Sequence, residues 1–105
     1  MRAEVSRDLE NLPGYELVSK GVDDLARGTS SREALLVSIA AGRLRESGIP
    51  VPPHEQLPSE PGLQLYRLLC NERPRDAYSF YNSLLRRLIS FEKALTFFNR
   101  RSSAR

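Results

Sequence analysis

Apolar residues recur along this chain at spacings of three and four, in stretches separated by glycine and proline, and the pattern predicts helices. In "YELVSKGVDDLARG" the positions Leu17, Val18, Val22, Leu25 and Ala26 share a helical face, and Gly28 stands where a C-terminal glycine cap belongs. Gly21 costs that helix about 1 kcal/mol relative to alanine, so it marks either a close approach by another helix or a locally weak segment. A second helix is expected from Ser30, which has the capping-box spacing to Glu33, to about Ser47. Leu35, Leu36, Ile39, Ala40 and Leu44 form its apolar face, Arg43 and Arg45 suit the negative end of its dipole, and Gly48 ends it. The small residues Ala40, Ala41 and Gly42 are the expected counterpart of Gly21 in a close crossing.

From Ile49 to Gly62 the chain carries five of its seven prolines, each lacking a backbone donor and turning its predecessor away from helical angles. This is an extended connector. A third helix is predicted from Leu63 to Glu72, with Leu65, Leu68, Leu69 and Cys70 apolar; Pro74 ends it, and Asp76 is the best N-cap for a fourth.

The fourth helix carries the most regular pattern. Ala77, Tyr81, Leu84, Leu88, Phe91, Leu95 and Phe98 alternate steps of four and three, which keeps one seam in register. From Asp76 to about Asn99 it would run roughly 36 Å. Phe80, Leu85, Ile89 and Phe97 widen the apolar arc, as suits a helix covered on more than one side, by its neighbours or by a second copy of the chain. The expected fold is all-α: a small four-helix bundle with the long C-terminal helix as spine and a Pro-rich connector between helices 2 and 3. Residues 14–100 form the single domain, with the connector 49–62 inside it. Residues 1–13, ending in Pro13-Gly14, read as a flexible or loosely docked arm, and residues 101–105 as a flexible tail.

Composition adds one feature that periodicity does not show. The net charge of +3 over 105 residues does not by itself imply a polyanionic partner, but the charge is unevenly distributed. From Leu63 onward nine cations face three acids, a net +6, whereas residues 1–62 carry seven cations and ten acids, a net −3. Seven of the eight aromatics also lie in the basic part. Such asymmetry marks a partner surface or two halves that attract each other when folded. A single cysteine, Cys70, excludes an intrachain disulfide and any multi-cysteine zinc site, which fits a reducing compartment. The charged start "MRAEVSRDLE" lacks the apolar stretch of a secretion signal, and no apolar run approaches the roughly 20 residues of a membrane span. A cytoplasmic protein is the expectation.

Candidate chemistry is sparse. His54 lies among prolines beside Glu55, far short of the three or four convergent ligands of a metal site, and no cofactor motif such as GxGxxG or GxxxxGK[ST] occurs. Cys70 lies on an apolar helix face with no visible activating base, so a structural thiol is expected rather than a nucleophile. The first two helices, joined through Gly28, have the outline of a helix-turn-helix, but "EALLVSIAAG" puts aliphatic residues where base-reading side chains would have to be. Tyr78 is the aromatic expected to be exposed.

Two functional readings remain. The first is a small intracellular protein-interaction module, adaptor or regulatory in kind and not an enzyme, with Leu85, Ile89 and Phe97 as candidate interaction surface and a homodimer through the C-terminal helix as one form. The second is a nucleic-acid-binding protein, in which Arg86, Arg87, Lys93, Arg100 and Arg101 contact phosphates from the outer face of that helix. No small-molecule substrate is indicated. Pairing of those cations with Glu16, Asp23 or Asp24 would count against the second reading.

Overall fold

The computed structural model describes residues 9–103, with the backbone alone for residues 54 and 101–103. The described residues form five α-helices: α1 (Tyr15–Ala26), α2 (Arg32–Ile39), α3 (Ala41–Glu46), α4 (Pro61–Glu72) and α5 (Ala77–Ser103). A single 3-10 turn, His54–Gln56, interrupts the connector, and no strand occurs among them. The all-α class expected from the periodicity is therefore what the chain adopts.

Both glycine caps stand where the spacing put them. Gly28 and Gly48 take left-handed angles, φ 77° and 98°, that other L-residues adopt at a cost. After α1 the Gly28 N–H donates to Leu25 O and Thr29 N–H to Asp24 O; after α3 Gly48 N–H donates to Arg45 O and Ile49 N–H to Leu44 O. These are Schellman closures, and the second carries its usual apolar contact position, with Leu44 and Ile49 both buried.

The second predicted helix is broken in two at Ala40, whose φ of −110° and ψ of 20° interrupt the ladder. The Ser38 hydroxyl donates back to Ala34 O at 2.8 Å, a bond that bends helices, and Ala40 N–H closes a tighter turn onto Val37 O. Its start also differs from expectation by one residue. Ser31, not Ser30, is the N-cap: its hydroxyl accepts from Ala34 N–H at 3.0 Å and donates to the Asp24 carboxylate at 2.5 Å. Glu33 consequently closes no capping box and instead faces Lys20 at 3.7 Å. Lys20 also donates to Asp24 at 2.6 Å.

That cluster has a pH signature. Hydrogen bonds from Lys20 and then Ser31 hold the Asp24 carboxyl below the usual carboxylate range, against the opposing effect of burial. A lowered pKa contributes stability above the unfolded-state value of about 4, lost as pH falls through the folded value. Asp24→Asn should therefore lower the urea midpoint at pH 7, and the gap to wild type should narrow as pH falls below about 4. A gap independent of pH would mean the carboxylate charge contributes nothing.

Gly21 does meet the second predicted helix, but at Glu33 and Val37 rather than at Ala40, Ala41 and Gly42. A Cβ there would collide with Glu33 O and Val37 Cγ2 of α2, whereas one on Gly42 would meet nothing within 4 Å. The close crossing is α1 on α2. α2 is the innermost element, with Ala34, Leu35, Leu36, Val37 and Ser38 all buried, and it packs against α1, α3, α4 and α5. A recognition helix in a DNA groove is incompatible with that burial.

α5 contributes the longest wall. At 27 residues it is about 40 Å long and runs past the predicted end near Asn99, so residues 101–103 of the expected tail are helical. Ala77, Leu84, Leu88, Phe91 and Leu95 of its seam are buried, with Tyr81 and Phe98 half-buried beside them. The connector contributes Ile49 and Val51 to the same core. Arg45 fixes it by donating to the carbonyls of Val51 and Pro52, and Asn99 of α5 donates to Ser47 O at 3.1 Å. Of the predicted N-terminal arm, Leu9 and Leu12 pack against the core and turn bonds lead from Leu9 to Tyr15, so docking begins by Leu9. Residues 1–8 of that arm and 104–105 of the tail lie outside the described residues.

Candidate interaction surface on the C-terminal hairpin

α4 and α5 form an antiparallel hairpin whose turn is fixed by side chains. Arg73 N–H closes α4 onto Leu69 O, and the Arg73 guanidinium forks onto the Asp76 carboxylate at 3.1 and 2.8 Å. The hydrogen bond from Arg73 lowers the Asp76 pKa. The same guanidinium lies 4.1 Å over the Phe80 ring, and Arg32 of α2 lies 5.6 Å from it. Asp76, predicted as the N-cap of the long helix, instead anchors the turn, with both carboxylate oxygens accepting from Arg73.

One turn further along the hairpin, Tyr66 of α4 meets Tyr81 of α5 edge to face, with ring centroids 5.5 Å apart. A hydrogen bond with Cys70, and then its charge, pushes the Tyr66 phenol above its ordinary pKa, with Tyr78 a smaller influence. Cys70 is half-buried against this pair. Leu63, Tyr66 and Cys70 are spaced i, i+3, i+7, and so are neighbours on one face of α4. On α5, Tyr78, Leu85 and Ile89 are spaced i, i+7, i+11 and line up along the helix in the same way. Tyr78 is 67%, Ile89 48% and Leu63 45% exposed, and Leu85 is half-buried. The hairpin therefore carries an apolar, aromatic-edged stripe that the domain leaves open.

The structure unites part of the predicted interaction surface and separates the rest. Leu85 and Ile89 belong to this stripe. Phe97, 61% exposed, is turned from Ile89 by about 80° and lies on the side of Arg86 and Lys93. The α4 contribution, Leu63 and Tyr66, was missed although its spacing is visible in "GLQLYRLLCNE". Tyr78 is exposed as expected.

Of the predicted phosphate-contacting residues, Arg86, Lys93 and Arg100 are exposed on one outward line of α5 and have no partner among the described residues. Arg87 is different: it donates to Glu16 of α1 at 2.6 Å. Both partners are largely exposed, so the pair contributes little. The Arg101 side chain lies outside the described residues. Glu92, the nearest acid, is held by Arg43 of α3 at 2.6 Å, and Asp24 is engaged by Lys20 and Ser31.

Elsewhere the surface carries clefts, one of about 500 Å³ where Ile39 and Arg45 face Leu57 of the connector and Pro61 at the start of α4. A cleft of about 170 Å³ lies between Leu17, Leu36, Phe80 and Leu84 with Arg32, Glu33 and Arg87 at its rim. Among the described residues no three His, Cys, Asp or Glu side chains converge on a point, and no helix is long and apolar enough to cross a membrane. The shifted carboxylates Asp24 and Asp76 owe their shifts to ion pairs and hydrogen bonds at helix ends. Comparison with protein-family models, with curated proteins and with solved structures finds no match to this chain.

Proposed function

We propose that this chain is a non-catalytic helical module that binds another protein through the α4–α5 hairpin, with α5 as the spine of a small bundle. The open stripe carries the reading: Tyr78 and Ile89, 67% and 48% exposed, are large apolar side chains that the wide arc of α5 presents rather than buries. The lone Cys70 supports a reducing, intracellular setting. Homodimerisation through this face has a physical obstacle, because two copies would bring their exposed cations Arg86 and Lys93 together.

The test compares wild type with Ile89→Asp in capture from cell extract, identifies any protein lost in the variant, and reconstitutes binding with it in purified form. A partner whose reconstituted binding drops at least about tenfold with Ile89→Asp supports the module. Partners that bind both forms equally would remove the stripe from the function.

The second reading is nucleic-acid binding, supported by the line Arg86, Lys93 and Arg100 having no partner among the described residues. Fluorescence anisotropy with labelled RNA and DNA at several salt concentrations tests it. Steeply salt-sensitive binding that is lost in an Arg86, Lys93, Arg100 triple alanine variant would favour this reading over the first.

A further inference from the structure

The acids and cations of the hairpin are unequally used. Each acid is turned towards a cation of this domain: Glu72 lies 3.7 Å from Arg32, Asp76 is forked by Arg73, and Glu92 is held at 2.6 Å by Arg43. Of the hairpin's cations, Arg73 and Arg87 are matched, by Asp76 and Glu16. Arg67, Arg75, Arg86, Lys93 and Arg100 are all exposed and have no partner among the described residues. Among the described residues, then, the hairpin's negative charges are all engaged and five of its positive charges are not.

These cations border the apolar stripe. Ile89 has Arg86 one turn before it and Lys93 one turn after it, at i−3 and i+4, and Leu63 has Arg67 at i+4. From Tyr78 to Lys93 the bordered strip is about 22 Å long, the length of four helical turns. A ligand that covers it must bury aliphatic and aromatic side chains along a line and place negative charge on the edges of that line.

We propose that the α4–α5 hairpin docks an acidic amphipathic helix, with apolar residues at i, i+3, i+4 and i+7 against Tyr78, Leu85 and Ile89 and with Glu or Asp beside Arg67, Arg86 and Lys93. This rests on the interaction-module reading and specifies its partner. A second copy of this chain is disfavoured, since it would meet the cationic border with an identical one. Nucleic acid fits less well because the centre of the strip is Leu85 and Ile89, which offer bases no stacking surface. The acidic helix satisfies both features at once.

The experiment uses the full chain and three fluorescent probes: a 16-residue amphipathic peptide with leucines at those spacings and glutamates on its flanks, the same peptide with lysines for the glutamates, and a 20-nucleotide single-stranded RNA. The glutamate peptide should bind at least about tenfold more tightly than the lysine peptide, and its affinity should fall with salt. Ile89→Asp should weaken it about tenfold or more, and the Arg86→Glu, Lys93→Glu double variant should reverse the preference between the two peptides. All of these residues are exposed, and unchanged far-ultraviolet circular dichroism confirms that the variants are folded. Equal binding of both peptides, or binding of RNA with no binding of the glutamate peptide, overturns the proposal. So does sedimentation equilibrium showing a wild-type dimer that Ile89→Asp dissociates. If cell-extract capture still yields an Ile89-dependent partner whose binding segment is not acidic, the acidic-helix inference falls and the interaction module stands; if neither the peptide nor any partner depends on Ile89, both fall.

Discussion

Phe91→Ala is expected to destabilise the domain by about 3 to 5 kcal/mol, enough to remove most of the stability of a chain this small. Phe91 is fully buried on the α5 seam, and the Cα of Gly14, at the entry to α1, is pressed against it: a Cβ on Gly14 would lie 3.3 Å from Phe91 Cβ and 2.7 Å from Arg87 O. That contact is with Cβ, which alanine keeps; the ring beyond it is fully buried in the core, and its removal opens a cavity in a small domain whose α1 entry has no side-chain cap of its own. Equilibrium urea denaturation at neutral pH measures the loss. Leu88→Ala and Ile89→Ala, on adjacent residues, provide the directional control. Leu88 is 2% exposed and should cost about 2 to 5 kcal/mol, while Ile89 at 48% should stay within about 1 kcal/mol of wild type. Similar losses at the two positions would mean that α5 is rotated from the orientation described.

How far the sequence determined this arrangement differs from element to element. The α5 seam was fully legible, because seven positions in strict four–three alternation leave a long helix only one way to face a core. The caps at Gly28 and Gly48 were legible for a local reason, since the closing bonds involve the few residues around each glycine. The break at Ala40 was not, as alanine is the strongest helix former and the bend comes from the Ser38 back-bond in a crowded helix interior. The choice between Ser30 and Ser31 was decided at a distance. The spacing to Glu33 favoured Ser30, but Asp24 on α1 receives the Ser31 hydroxyl, so a tertiary contact selected the cap.

The candidate surface shows the same division. Leu85, Ile89 and the cation line could be placed on α5 from its period alone, and the same period already turns Phe97 about 80° from Ile89, a separation that grouping them by the width of the apolar arc concealed. The contribution of α4 was overlooked because Leu65 and Leu69 dominate its pattern and hide the weaker Leu63–Tyr66–Cys70 spacing beside them. Charge was legible as a sum and not as a pattern. That Glu72, Asp76 and Glu92 are all engaged while five cations have no partner among the described residues could be known only once α2 and α3 had brought Arg32 and Arg43 beside the hairpin.

The crossing of α1 on α2 gives the second large prediction, and it sets two principles against each other. In an isolated helix Gly21→Ala should stabilise α1 by about 1 kcal/mol, because alanine loses less backbone entropy. In this fold the added methyl falls on the carbonyl oxygen of Glu33 and on Val37 Cγ2, and the carbonyl is part of a helix backbone that cannot turn aside without breaking its own ladder. Overpacking of that kind costs about 1 to 3 kcal/mol or more, and the α1–α2 contact is the most extensive between any two helices here. The net effect should be a loss of stability for Gly21→Ala, with Gly21→Val preventing folding at room temperature. Gly42→Ala separates the two principles, since nothing lies within 4 Å of its added methyl and only the propensity term acts. It should leave stability unchanged or raise it by up to about 1 kcal/mol. Urea midpoints moving in opposite directions for the same substitution, down at Gly21 and level or up at Gly42, are the expected result; a rise at Gly21 would show that α1 is not held against the α2 backbone and would remove the main contact of the N-terminal half.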